Sequence, residues 1–525
     1  MGPDSPQGNG LLAGPLFSQA GFTTLAPMPT PRPNILFAIT DDWSFGHAGA
    51  YGCPWVDTPA FDRVAREGLL FSQAYTVNAK CAPSRATLLT GLHSWQLKEA
   101  GNHAGFFPPE FKVYPEVLEE SGYFTGSTNK GWAPGVALQA DGSPRRLVGR
   151  AFDARTCEPP SPRMNRCDYA ANFEDFLAAA PAGRPWCFWY GSSDPHRAYE
   201  PGSGARRGGR RPEEIERVPA YWPDNDTVRH DLLDYGFAVE HFDRHLGRML
   251  AALDRTGAAD NTIVVVTSDH AMPFPRAKGQ PYPFSTHVPL AIRWPAGIAG
   301  AGRIVSDFVS HVDIAPTLLQ AAGLEASAVG MAPPAGRSLG ELLAGHAPAV
   351  PRDAVYIGQE RHDIGRPGDV GYPVRGIIER DWVYLRNFEP DRWPACNPET
   401  GYLNCDGSPT KTHILQHRLD PAGRRHWELC FGKRPAEELY DLRRDPDCLE
   451  NLAPDAAHAA IRDRLRDRLF ATLRETADPR VNGRGAVFDA YLVARPEMRG
   501  FYEKWQRGEA PYCDWVEPSD FAPLT

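Results

Sequence analysis

Five consecutive residues, Cys81-Ala82-Pro83-Ser84-Arg85, combine a nucleophile, a helix start and a fixed cation. Proline is well tolerated in the first turn of a helix, where its missing N–H would have no partner anyway. That puts Cys81 at the N-terminal end of a helix and Arg85 in its first turn, where the positive end of the helix dipole favours an anion or a thiolate. Taken alone, the same residues also describe a capped helix beside an ordinary cysteine. Two acid-bearing pairs stand elsewhere in the chain, Asp41-Asp42 and Asp269-His270. Three carboxylates and an imidazole brought together need a cation, and oxygen-rich ligation favours a hard ion such as Ca²⁺ or Mg²⁺. Imidazole is a softer donor, which keeps Mn²⁺ and Zn²⁺ open. Each pair on its own reads equally well as a strand-end cap or a solvated turn.

The elements that must position these residues can be read around them. Asn34–Thr40 (N-I-L-F-A-I-T) and residues 261–267 (N-T-I-V-V-V-T) are apolar, β-branched runs of the kind buried on both faces of a parallel sheet. Each acid pair follows one of these runs, so both pairs would leave the C-terminal edge of one sheet, where open α/β sheets place their ligands. Further strands are expected at 187–190 and 288–293. Thr58-Pro59 opens a helix to about Glu67, and 231–253 carries Leu232, Phe237, Phe242, Leu246, Met249 and Leu253 at helical spacing. Strands alternating with helices predict an α/β fold with a doubly wound, mostly parallel sheet flanked by helices. Pro- and Gly-rich stretches at 330–336 and 345–351 mark a boundary near residue 350. The expected organisation is a flexible leader (1–31), a catalytic α/β domain (32–350) and a smaller C-terminal α+β domain (351–525). In the last, 373–386 reads as two short strands joined at Arg380-Asp381, and 456–476 as an amphipathic helix.

The 525 residues are 42% hydrophobic and 23% charged, a profile that excludes disorder, and 56 basic against 65 acidic residues leave a net charge of −9. A nucleic-acid partner would call for a basic excess, so none is expected. No apolar run is long enough for a membrane span. The leader has no basic segment ahead of its short apolar stretch, and no signal peptide is read there. Localisation is therefore expected to be cytoplasmic, or periplasmic or secreted if the start is mis-assigned. The ten cysteines contain no C-x-x-C pair, which argues against a zinc cluster or a redox dithiol.

The sequence C-x-P-S-R followed by Thr90-Gly91 resembles the signature of the formylglycine-dependent sulfatases, members of the alkaline-phosphatase-like superfamily. The resemblance runs from Arg32 to about Leu452. It is closest to the heparan N-sulfatase (N-sulfoglucosamine sulfohydrolase) branch, through Trp95-Gln96-Leu97, Asp194-Pro195-His196-Arg197 and Pro273-Phe274-Pro275. It implies that Cys81 is oxidised to formylglycine by a formylglycine-generating enzyme and that its hydrate is the nucleophile. It also implies one divalent cation, with Ca²⁺ expected, on Asp41, Asp42, Cys81, Asp269 and His270. At the last position most members carry Asn, and some phosphonate hydrolases and choline sulfatases carry His. Lys130, His196 and Lys278 match residues that meet the sulfate or the leaving group, and Arg85 joins them from the signature. Many members place a His two residues after the lysine, where this chain has Trp132. Glu360, Arg361, His362 and Arg375 fall where C-terminal loops of the family reach the substrate. The implied activity is hydrolysis of sulfate from a sulfated sugar, with the N-sulfate of glucosamine expected. A phosphate or phosphonate ester hydrolase or an O-sulfatase is the alternative, a non-catalytic glycan-binding relative a remote third, and a homodimer one expectation for its assembly.

Overall fold

Asn34–Thr40 forms β1, and its side chains alternate between two cores. Leu36 and Ala38 enter one apolar cluster, while Ile35, Phe37 and Ile39 enter the other, all fully buried. A strand covered on both faces has no polar side to show, which is why its sequence is a continuous apolar run. In the computed structural model, which describes residues 31–509, 513 and 515–521, β1 lies inside an eight-stranded sheet. The expected leader lies, apart from Pro31, outside the described residues.

The other strands of this sheet, in chain order, are β2 (Leu69–Phe71), β3 (Phe124–Asn129), β4 (Arg150–Ala151), β5 (Trp186–Gly191), β6 (Thr262–Ser268), β7 (Leu290–Arg293) and β8 (Arg303–Val305). Their spatial order is β8-β2-β7-β6-β1-β5-β3-β4. All pairings are parallel except those of β7, which runs against both β6 and β2. The α/β architecture with a mostly parallel sheet is the one expected. Strands β1, β5, β6 and β7 fall at the predicted positions, whereas β2, β3, β4 and β8 went unread. β3 (F-T-G-S-T-N) carries no apolar run, and the others are only two or three residues long.

Helix α1 (Pro59–Glu67) and the 31-residue helix α3 (Asp226–Thr256) cover one face of the sheet, and α2 (Cys81–Thr90) lies on the other. α3 extends past its predicted ends because Asn225 caps it by accepting from Val228 N–H, and Gly257 closes it at φ 68°. The six apolar residues singled out in 231–253 are all buried.

Beyond residue 350 a four-stranded antiparallel sheet forms from β9 (Ala354–Gln359), β10 (Val374–Glu379), β11 (Trp382–Asn387) and β12 (Glu437–Asp441). Helix α4 (Ala459–Glu475) packs Leu465, Leu469 and Leu473 against Ile377, Tyr384 and Leu439 of this sheet. The chain does not stay in that unit. Tyr402, Cys405, Ile414 and Phe431 return to the large core, and Val493, Phe501 and Val516 pack with Ala104 and Ile364. These returns bring C-terminal residues to the edge of the large sheet.

Candidate active site

Thr40 at the end of β1 pairs with Ser268 at the end of β6, so Asp41 and Asp269 leave neighbouring strands at one level. Lys130 follows β3 and His196 lies just beyond β5 on the same edge. α2 points its N-terminus at this edge, with Cys81 as its first residue and Gly91 closing it in the left-handed region at φ 73°. Ser84 anchors the helix by donating to the Asp269 carbonyl at 2.5 Å. Cys81 Sγ then lies 3.4 Å from His270 Nε2.

The site is a lattice of buried opposite charges. Lys130 pairs with Asp41, and Lys278 Nζ sits 2.8 Å from Asp42 and 2.7 Å from Asp406. Lys80 lies 2.6 Å from Asp363, whose other oxygen meets His103 Nδ1 at 3.1 Å. Breaking one such buried pair typically costs about 3–5 kcal/mol. Burial and Asp41 push the Cys81 thiol up, but Lys130, Lys278 and His270 outweigh them and hold it well below the ordinary cysteine value. Burial pushes Asp269 up to about 7, with Asp41 adding to it. Against burial, the carboxylates of Asp269 and Asp42 draw His270 up to about 9. Such crowding of carboxylates holds a proton where a cation would otherwise neutralise them.

The donor set fits a cation. Asp41, Asp42, Cys81 and His270 each offer one ligand atom, all within 4.8 Å of one another. Asp42 Oδ1 is buried, 3.1 Å from His270 Nε2, and accepts no hydrogen bond. His270 Nδ1 lies 2.9 Å from the Ala271 carbonyl, which fixes Nδ1 as a donor and makes Nε2 the nitrogen whose proton a metal would replace. Asp269 stands alongside, its Oδ1 accepting from the backbone N–H groups of Asp42 and His270.

A cavity of about 310 Å³ opens over Cys81, lined by Lys80, His103, Lys130, His196, Lys278, Asp363, Asp406, Arg495, Met498 and Trp515. Two expectations are corrected by this geometry. Arg85 is fully buried and spends its guanidinium on Asp269 (2.9 Å), Asp41 (3.4 Å) and the carbonyls of Thr40, Lys130 and Gly131, so it positions carboxylates and has no donor free for a sulfate. Glu360, Arg361, His362 and Arg375 do not line the cavity. Arg375 is clamped between Asp478 and Glu360, and Glu360 also takes Arg480. Arg361 donates to the carbonyls of Tyr491 and Leu492, and His362 sits between Asn78 and Gly279. These four brace the loop whose next residue, Asp363, does reach the cavity. Trp132 turns away from the sulfur, donating to the Ala82 carbonyl at 2.8 Å and meeting Phe107 edge-on.

Sequence reasoning missed Lys80, His103, Asp363, Asp406, Arg495 and Trp515. Lys80 adjoins the Cys81 motif, a signal that was available, while the others are single polar or aromatic residues in loops. His103 stands where Trp132 does not: Asp363 and the Cys81 sulfur, opposed by burial, raise it above the ordinary histidine value.

The sulfatase family model matches residues 33–324. The human N-sulphoglucosamine sulphohydrolase is 28% identical over 495 residues, covering 88% of this chain and 94% of that protein. Among solved structures, a protein in complex with its substrate D-glucosamine-2-N,6-O-disulfate superposes with a TM-score of 0.59 at 22% identity, over 85% of this chain and 98% of that one. The phosphonate monoester hydrolase of Agrobacterium radiobacter superposes with a TM-score of 0.57 at 22% identity, over 85% and 97%. With the family match spanning more than half of the 525 residues and its signature cysteine facing a buried carboxylate cluster, the chain belongs to the sulfatase family and is a hydrolase.

Proposed function

We propose that this sulfatase acts on a sulfated sugar and releases the N-sulfate of glucosamine. The human relative and the substrate of the solved neighbour both support an amino-sugar sulfate. The observation that carries the reading is His196. Its Nδ1 lies 2.7 Å from the Arg197 carbonyl and so serves as a donor there, which leaves Nε2 facing the cavity, 4.0 Å from Asp42. An amine departs from sulfur only when protonated, and an imidazole so oriented is placed to deliver that proton.

The reading includes conversion of Cys81 to formylglycine, whose hydrate supplies a hydroxyl nucleophile where the unmodified residue has a thiol. It also includes one divalent cation held by Asp41, Asp42, Asp269, His270 and residue 81. Ca²⁺ is favoured by the oxygen-rich set; when bound it polarises the sulfate and acidifies the nucleophile. Around it, Lys130 and Lys278 are the cations able to take up charge that moves onto the non-bridging oxygens. Arg85 keeps Asp41 and Asp269 in place, and Asp406 orients Lys278.

The test is sulfate release from N-sulfoglucosamine against glucosamine 6-O-sulfate, with peptide mass spectrometry on Cys81. Faster release from the N-sulfate is expected, together with an aldehyde or its hydrate at position 81. His196→Ala should cost about 10²–10⁴ on the N-sulfate and far less on an aryl sulfate, whose phenolate leaves without a proton. The reverse ranking, or full activity with unmodified Cys81, contradicts the reading. His270 supports the second reading, a phosphonate ester hydrolase; preferential turnover of a phenyl phosphonate monoester would establish it.

A further inference from the structure

We propose that Arg495 and Trp515 form a second subsite, in which Arg495 pairs with an additional anionic group of the substrate, a carboxylate or a second sulfate, while Trp515 faces the sugar ring. The proposal rests on the sugar-sulfatase reading and narrows its substrate to saccharides with more than one negative charge.

The charge inventory of the cavity carries it. Each lysine that lines the cavity already has a carboxylate: Lys80 has Asp363, Lys130 has Asp41, and Lys278 has Asp42 and Asp406. Arg495 lines the same cavity and is exposed, and its guanidinium makes no hydrogen bond or ion pair among the described residues. The sulfate that is cut belongs beside Cys81, Lys130 and Lys278, so a single negative charge leaves Arg495 with no counterpart. A planar guanidinium binds a carboxylate or a sulfate through two parallel hydrogen bonds.

The position of this arginine is held by the fold. Ala494 N–H donates to the Ala104 carbonyl at 2.8 Å, one residue beyond His103, which pins the C-terminal segment to the cavity mouth. Arg499 braces the same turn by donating to the Val493 carbonyl at 2.7 Å. Trp515 fixes its indole by donating to the Leu403 carbonyl at 2.9 Å, and it packs in one apolar cluster with Met498. A pinned aromatic face offers apolar area with little entropy left to lose, which suits the C–H face of a pyranose ring.

The experiment compares wild type, Arg495→Ala and Arg495→Lys by sulfate release. The substrates are N-sulfoglucosamine, its 2-N,6-O-disulfate and a disaccharide of N-sulfoglucosamine with a uronate, with 4-nitrophenyl sulfate as reference. Arg495→Ala should raise KM for the doubly charged sugars about tenfold more than for N-sulfoglucosamine. The gap should shrink at high salt, and lysine should recover only part of it. The disulfate and uronate arms identify which anion is read, by which loses more. Calorimetric binding of the disulfate to Cys81→Ala, with and without Arg495→Ala, gives the same ratio without turnover. An equal loss on singly and doubly charged sugars, or no loss, overturns the subsite. A wild type that cleaves 4-nitrophenyl sulfate but neither cleaves nor binds any of the sugars overturns the sugar reading, and the subsite with it.

Discussion

Replacing Asp363 by asparagine removes one charge from the floor of the cavity and leaves its shape. Asp363 Oδ2 lies 2.6 Å from Lys80 Nζ, and both side chains are 6% exposed or less. At that separation two unit charges attract by about 6 kcal/mol at an effective dielectric constant of 20. Without that charge, Lys80 keeps neutral acceptors, among them the Asn404 carbonyl at 3.4 Å, and the more distant charge of Asp406. An ammonium left buried in this way should destabilise the protein by about 3–5 kcal/mol. Burial pushes Asp363 up, but Lys80 and His103 more than reverse this and hold it well below the usual carboxylate range. A depressed folded pKa gives stability that is present above the unfolded value and lost as pH falls through the folded one. The part of the gap between wild type and Asp363→Asn that comes from Lys80 should therefore be full at neutral pH and narrow only below about pH 4. His103 has the opposite sign: raised by Asp363, it stabilises below about pH 6.5 and that contribution fades as pH rises through its folded value. Urea unfolding followed by tryptophan fluorescence at several pH values measures both. Adding Lys80→Met should recover at least half of the loss, because the unpaired ammonium is then gone. A single variant within about 0.5 kcal/mol of wild type, or a double variant no better than the single, would refute the reasoning.

Lys278→Met should lower kcat on an aryl sulfate by about 10²–10³, the usual cost of one preorganised charge at a developing anion. A loss confined to KM would instead mark Lys278 as a ground-state contact. Ca²⁺ at a hundred times its Kd should stabilise the protein by about 2.7 kcal/mol, seen as a higher melting temperature that chelation reverses. Asp42→Asn, which neutralises the side chain bearing the unpartnered buried oxygen, should abolish that shift; a variant that still responds like wild type would place the cation elsewhere.

The parts of this protein legible from sequence are those whose signal is local. β1 and β6 are contiguous apolar runs because both of their faces are covered, and a run of that kind needs no partner to be recognised. The start of α2 is written in Cys81-Ala82-Pro83-Ser84-Arg85, and acid pairs directly after two such strands locate the edge of the sheet. β3 escaped because its polar sequence is buried by neighbours that only the fold supplies.

Charge partners behave differently. Arg85 is marked by its motif, yet its role depends on which groups its donors meet, and those are carboxylates and carbonyls brought in by β1, β6 and the Lys130 loop. Asp363 comes from a loop more than 280 residues beyond its partner Lys80, and Asp406 from a loop more than 120 residues beyond its partner Lys278. Glu360 and Arg375 point into internal ion pairs although they stand next to the right loop. A buried charge must be neutralised wherever the fold leaves it, and the choice of partner is made by distance in space, over a few ångströms, without regard to separation along the chain. Residue types and local order therefore determined the cysteine motif, the acid pairs and the sheet that carries them, while long-range packing alone decided which ions answer one another across the cavity.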